Sequence, residues 1–203
     1  HTLFAPCELL HRERVAMAAL IDRGGTPLSR ILAGGTRLSV SQSASIAAAV
    51  AIDLQHLHAA DLFHGHVCPE TIWIPAKGAA QLLLIPPSLS TDPQRGPLEA
   101  SMANYAAPEL QSKDVRATKQ ADLYALGCAL FEMLCGRVPF VGDETIGHKM
   151  RRHATEAITP LQVIGAPEEI DQIVRYMMAK NTDGRYQSAA TVAEALQPFI
   201  ASA

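Results

Sequence analysis

Hydrophobic residues recur at two periods along this chain, and the change of period marks its organisation. Ile46, Val50, Leu54 and Leu57 are spaced by three or four positions and share one helical face. Ser39-Val-Ser-Gln42, just ahead of them, has the hydroxyl and amide of a capping box, so a helix of about five turns is predicted to near His58. Two short apolar runs follow, Thr71 to Ile74 and Gln81 to Ile85, separated by Pro75-Ala-Lys-Gly78, the composition of a small hairpin. A second helix is predicted over Gln120 to Cys135, with Leu123, Leu126, Leu130, Met133 and Leu134 inward and Gly136 as the stop signal. A third starts at Pro167, in the favoured first-turn position, with Ile170, Ile173, Val174 and Met177 inward, and a last one runs from Ser188 through Leu196.

The remaining stretches break these periods. The first ~30 residues read as short extended pieces, with Arg14 to Ile21 as the best strand before the turn-forming Gly24-Gly25. Pro86 to Pro97 holds four prolines among Ser, Thr and Gly residues, a composition that favours an irregular loop. No internal repeat is visible.

Composition narrows the function classes. Hydrophobic residues make up 48% of the 203 positions and charged ones 18%, enough apolar surface for a folded core. The net charge of −3 and the shortness of clusters such as Lys149, Arg151 and Arg152 give no footprint for nucleic acid, which favours protein or small-molecule partners. Ile46 to Ile52 and Ala125 to Phe131 are the longest apolar stretches, too short for the ~20 residues that span a bilayer. Cys7, Cys68, Cys128 and Cys135 form no CxxC pair, which predicts reduced thiols and a cytoplasmic location. The chain begins at His1 without a signal-peptide pattern, and is expected to be a piece of something longer.

Four motifs in order then carry a resemblance. Leu57-His58 with His64-Gly-His-Val-Cys-Pro-Glu-Thr71, Tyr105-Ala-Ala-Pro-Glu109, Asp122-Leu-Tyr-Ala-Leu-Gly127 continuing to Phe131 through Phe140, and Lys180 through Tyr186 resemble, in turn, the catalytic loop, the Ala-Pro-Glu motif, the central helix and the late arginine-bearing loop of protein kinases, in the style of bacterial Ser/Thr kinases. The resemblance implies an α+β, kinase-like fold: a mainly α-helical large lobe over residues 24–203 with an incomplete small-lobe sheet and hinge in residues 1–23. It further implies that Glu109 pairs with Arg185, that Asp122 accepts backbone hydrogens from the catalytic loop, and that His64 fills the loop's packing histidine position.

Other positions depart from the family pattern. His66 stands at the catalytic Asp position, Cys68 at the Lys position, Thr71 at the magnesium-binding Asn position, and Leu84 where Asp-Phe-Gly should begin. Met102 replaces the threonine that contacts the catalytic Asp, and no GxGxxG or Val-Ala-x-Lys precedes the loop. Phosphoryl transfer needs a positioned carboxylate and magnesium ligands, and loss of a general base alone costs ~100-fold to 10,000-fold. The expectation is a pseudokinase that is not an enzyme, has no cofactor, binds neither ATP nor magnesium, and acts as a regulatory or scaffolding module for a protein partner. The Pro86 to Pro97 loop and the region after Phe140 are its candidate contact surfaces, and Ser88, Ser90, Thr91 and Ser101 are candidate phosphate acceptors. Trp73 falls where the family has an aliphatic residue under the adenine ring, and is read as an occluder of that site or as ordinary core.

Three alternatives stay open. His56, His58, His64, His66 and Cys68 are possible zinc ligands, although His56 and His58 cannot share a helical face. A divergent enzyme or nucleotide-binding domain would use Glu70, or Asp92 and Glu99 swung in from the loop. A spacer domain would have no partner of its own.

Overall fold

The computed structural model describes residues 9–12, 15–18, 24–83, 102–111, 118–142 and 145–200. Two strands, β1 (Leu9–Arg12) and β2 (Val15–Ala18), pair antiparallel, with Leu9 opposite Ala18. A three-stranded antiparallel sheet follows: β3 (Gly25–Pro27) pairs with β4 (Ile72–Pro75), and β4 with β5 (Gln81–Leu82). The expected β4–β5 hairpin is present. β3 was expected only as a turn, because the glycine pair that suggests a turn supplies instead the bare backbone that lies beside β4. Within the strand predicted over Arg14 to Ile21, Val15–Ala18 forms β2, and Arg14 and residues 19–21 lie outside the described residues; the partner strand β1 was not singled out.

The body is helical: α1 (Leu28–Leu32), α2 (Val40–Ala59), α3 (Lys119–Cys135), α4 (Ile146–Thr155), α5 (Glu168–Met177) and α6 (Ala189–Leu196). Helix α2 starts at a complete capping box, in which the Gln42 N–H donates to Ser39 Oγ (3.1 Å) and the Ser39 N–H to Gln42 Oε1 (3.0 Å). It packs against α6, α3 and β5. Asp53 on α2 also pins the sheet, because its carboxylate accepts the Leu82 N–H at 2.8 Å.

Helix α3 is buried on almost every side, as an apolar helix without a polar face must be. It ends where Gly136 adopts φ 70°, and a Cβ at that position would collide with the Gly35 carbonyl oxygen. At Gly127 a Cβ would lie 2.8 Å from Met177 Cβ and 2.9 Å from Met178 Cγ, so this glycine lets α5 approach α3 at backbone distance. Pro167 precedes α5 as its N-cap instead of occupying its first turn. Helices α1 and α4 were not predicted: α1 is a single short turn, and α4 buries only Met150 and His153 among polar neighbours, too thin a stripe to read as a period. Among the described residues no helix is long and apolar enough to cross a membrane.

Candidate functional site

The site is built around one carboxylate. Asp122 lies in the first turn of α3, where the helix dipole favours negative charge, and is 1% exposed. Its Oδ2 accepts the His64 N–H (2.9 Å) and lies 3.0 Å from His58 Nε2, while Oδ1 accepts the Gly65 N–H (2.7 Å). The loop leaving α2 is thereby held against the start of α3.

The loop also closes on itself. His64 Nδ1 accepts the His66 N–H (3.2 Å), so the other ring nitrogen, Nε2, carries the proton and donates to the Leu83 carbonyl (2.9 Å). Burial lowers the pKa of His64 and keeps the ring neutral. Thr71 is fully buried, and its Oγ1 accepts the Cys68 N–H (3.1 Å) and donates to the carbonyls of His66 and Cys68, each at 2.9 Å. Cys68 is buried, and its thiol is pushed up to about 12, first by desolvation and then by the Glu70 carboxylate; it packs as a neutral thiol. Both His64 nitrogens have protein partners and His56 is exposed on α2, so the five candidate zinc ligands are not brought to one point.

A second clamp fixes the segment facing this loop. Glu109 and Arg185 form a bidentate pair, with Nη1 to Oε1 and Nη2 to Oε2 both at 2.8 Å. The same guanidinium donates to the carbonyls of Ala179 (2.7 Å), Gln120 (2.9 Å) and Lys180 (3.3 Å) and lies 4.8 Å above the Tyr124 ring. One buried cation therefore ties Pro108–Gln111 to the head of α3 and to the loop before α6. A contact that sequence reasoning missed reinforces it: the Tyr105 hydroxyl donates to Glu132 Oε2 at 2.6 Å, and burial raises the pKa of that carboxyl. A glutamate inside an otherwise apolar helix was the available signal.

Between the two clamped segments lies a pocket of about 40 Å³, lined by Gly65, His66, Met102, Tyr105, Leu110 and Asp122 among others. Trp73 is half-buried on β4, opposite Pro27 and Gln81, and its indole nitrogen would lie 2.7 Å from a Cβ at Gly25. Glu70 is exposed. Leu84, Ser88, Ser90, Thr91, Asp92, Glu99, Ser101 and Cys7, with the whole Pro86 to Pro97 loop, lie outside the described residues.

This arrangement can be set beside known proteins. Residues 11–198 match the protein kinase domain family. The chain belongs to the protein kinase family. Curated relatives of this kinase-family chain include PknE, a serine/threonine-protein kinase of Mycobacterium tuberculosis, 31% identical over 184 residues that cover 88% of this chain and 32% of PknE. PkaB of Streptomyces coelicolor is 32% identical over 81% of this chain and 41% of its own, and a probable serine/threonine-protein kinase PknB of Bifidobacterium longum is 31% identical over 67% and 20%. The chain thus spans less than half the length of these relatives. Among solved structures, the kinase domain of Mycobacterium tuberculosis PknI, crystallised as a double mutant, superposes with a TM-score of 0.68 at 19% identity, covering 91% of this chain and 65% of that one. The fold is kinase-like, as expected.

Two expectations are overturned by this membership. The chain was expected to be no enzyme, yet the relatives it matches are named serine/threonine-protein kinases. It was expected to take no cofactor, yet kinases work on ATP held with magnesium. Departures at single positions weighed too heavily in that reading against a match running through nearly the whole chain. Within the catalytic loop itself, the residues present do not fit a magnesium ion: the Thr71 hydroxyl is spent on three backbone groups, and His66 and Cys68 offer no oxygen.

Proposed function

We propose that this chain is the large-lobe part of a divergent serine/threonine-kinase-type domain that transfers phosphate to protein hydroxyls in a regulatory setting. Residues 24–203 form that lobe in this reading, and residues 1–23 are the remnant of small-lobe strands and hinge. The observation that carries it is the pair of clamps, Asp122 on the catalytic loop and Arg185 on Glu109, which hold His66 and the Met102–Gln111 segment on opposite sides of one pocket. Burying two charged clamps beside that pocket is costly in desolvation, which favours a use for the geometry they hold. Incubating the complete protein with ATP, magnesium and dephosphorylated casein should yield phosphoserine or phosphothreonine on casein or on the protein itself. Absence of both products rejects phosphotransfer.

A second reading is favoured by the self-satisfied loop. With the Thr71 hydroxyl saturated by backbone, the same lobe serves as a regulatory scaffold in which a protein partner docks against Met102–Gln111 and α4. Partner capture that is lost on substituting the exposed Arg151 of α4, with phosphotransfer unaffected, would favour this use of the surface.

A further inference from the structure

Helix α4 is held to the body by few contacts. It has ten residues and buries only Met150 and His153, and a helix of that length is marginal in water by itself, so α4 persists because it is docked. Gln111 Nε2 donates to the Met150 carbonyl (2.6 Å) and Lys149 Nζ to Asn104 Oδ1 (2.8 Å). His153 joins more elements than either. Its Nδ1 lies 2.9 Å from the Tyr124 hydroxyl of α3, its ring hydrogen-bonds the backbone of Asn104, and its carbonyl accepts from Lys180 Nζ (2.7 Å). It is 1% exposed and meets the Phe140 ring edge-on at 4.8 Å.

The charged groups facing this ring are mostly cations. Lys180 and Arg152 lie 5.0 and 5.5 Å from the centre of the same Phe140 ring, Lys149 stands one turn earlier on α4, and Arg185 lies over the Tyr124 ring. Glu156 is paired with Arg152 and Glu109 with Arg185, and burial keeps the Tyr124 hydroxyl neutral. Among the described residues, a proton on His153 therefore meets positive charge and no unpaired carboxylate beside it.

We propose that His153 is the latch of an acid-sensitive joint: when its ring takes a proton, α4 lifts from α3 and frees the Met102–Asn104 wall of the pocket, while the rest of the lobe stays folded. Burial, with the Lys180 cation adding to it, holds the docked ring near 4, against an ordinary 6.5 once it is released into water. The released form therefore binds more protons, and opening is favoured progressively as the pH falls below about 6.5 toward 4. This inference stands apart from the phosphotransfer reading.

The test follows hydrogen exchange of the complete protein at pH 7 and 4.5, each amide corrected for its intrinsic rate. Opening of α4 should rise on the order of 50-fold across that span, and the Tyr105 amide, bonded to the Met102 carbonyl, should follow it while α3 changes far less. His153→Gln keeps an amide within reach of Tyr124 and Asn104 but cannot titrate, so its α4 should open equally at both values. Lys180→Met removes a facing cation, lets the ring take its proton more readily while docked, and should shrink the acid response. No acid response in the parent, α3 and α4 rising in step, a response that survives in His153→Gln, or one undiminished in Lys180→Met overturns the latch. If His153→Gln does not fold, the Lys180→Met comparison decides.

Discussion

Replacing Arg185 by methionine keeps much of the side-chain volume and removes every hydrogen bond of the guanidinium. In the native fold that group makes two bonds to Glu109 and three to the carbonyls of Ala179, Gln120 and Lys180, with its side chain 0% exposed and that of Glu109 19% exposed. The substitution leaves a largely buried carboxylate without its counter-ion and three carbonyls short of a donor. Breaking a buried pair from one side costs about 3–5 kcal/mol, and the partial exposure of Glu109 places this case toward the lower figure. At about 2–4 °C per kcal/mol for a domain of this size, the melting temperature should fall by about 6–20 °C. Urea unfolding followed by circular dichroism measures the same loss as a lower midpoint at constant slope. Adding Glu109→Gln to the methionine variant should recover part of the loss, because the stranded charge is then removed, whereas Glu109→Gln in the native background should destabilise. Arg185→Lys retains the charge but not the planar fork and should fall in between. A methionine variant within 1 kcal/mol of the parent, or a double variant showing no coupling, would refute the claim that this pair clamps the site.

Burial holds the His153 imidazole near 4, with the cation of Lys180 adding to the effect, while in the unfolded chain it sits near 6.5. The folded state therefore resists the proton, so stability is complete above about pH 6.5 and falls by up to about 3 kcal/mol as the pH drops toward 4; His153→Gln should flatten urea midpoints measured between pH 7 and 4.5, and an unchanged slope counts against the assignment. Gly127→Ala pushes a methyl group into Met177 and Met178 and should cost about 1–3 kcal/mol in a thermal melt, an overpacking penalty that a neutral result would disprove. If the indole of Trp73 narrows the adenine side of the cleft, Trp73→Ala should tighten binding of a non-hydrolysable ATP analogue by calorimetry, and weaker or equal binding identifies Trp73 as core packing.

Helices whose burial follows a simple period were legible from the chain, as α2, α5 and α6 show, and α3 was legible as a long apolar run although its burial is all-round and not one face. Their ends were legible too, because Ser39, Ser188 and Gly136 satisfy end groups with local chemistry. Other elements were not. The amphipathic stripe of α4 is two residues wide, and β3 exists only because β4, some fifty residues away, supplies its hydrogen bonds. At the site, the motif order pointed to Asp122, Glu109, Arg185 and His64, but although Tyr105 and Glu132 lie within two of the motifs, nothing in either motif pairs them, and they meet only through the packing of their segments. The occupied hydroxyl of Thr71 was equally invisible, since a threonine in a sequence does not reveal which backbone groups have taken it.

What the sequence determined by itself was local: where helices begin and end, which faces are apolar, and which residue types stand at each position of a familiar motif. These depend on interactions within a few residues, so they can be read in one dimension. The resemblance implied that Asp122 accepts from the loop after α2 and that Glu109 pairs with Arg185; the tertiary structure alone decided that His58 reaches the same carboxylate, that the guanidinium also takes the carbonyls of Ala179, Gln120 and Lys180, and that His66 and Tyr105 share a pocket. Such convergence is paid for by burial of the whole core, and the hydrogen bonds it creates link residues as far apart as Glu109 and Arg185. A local pattern can name the partners through a familiar motif, as for Glu109 and Arg185, but the contacts that no motif carries are set by the core's packing and not by the chain's neighbours.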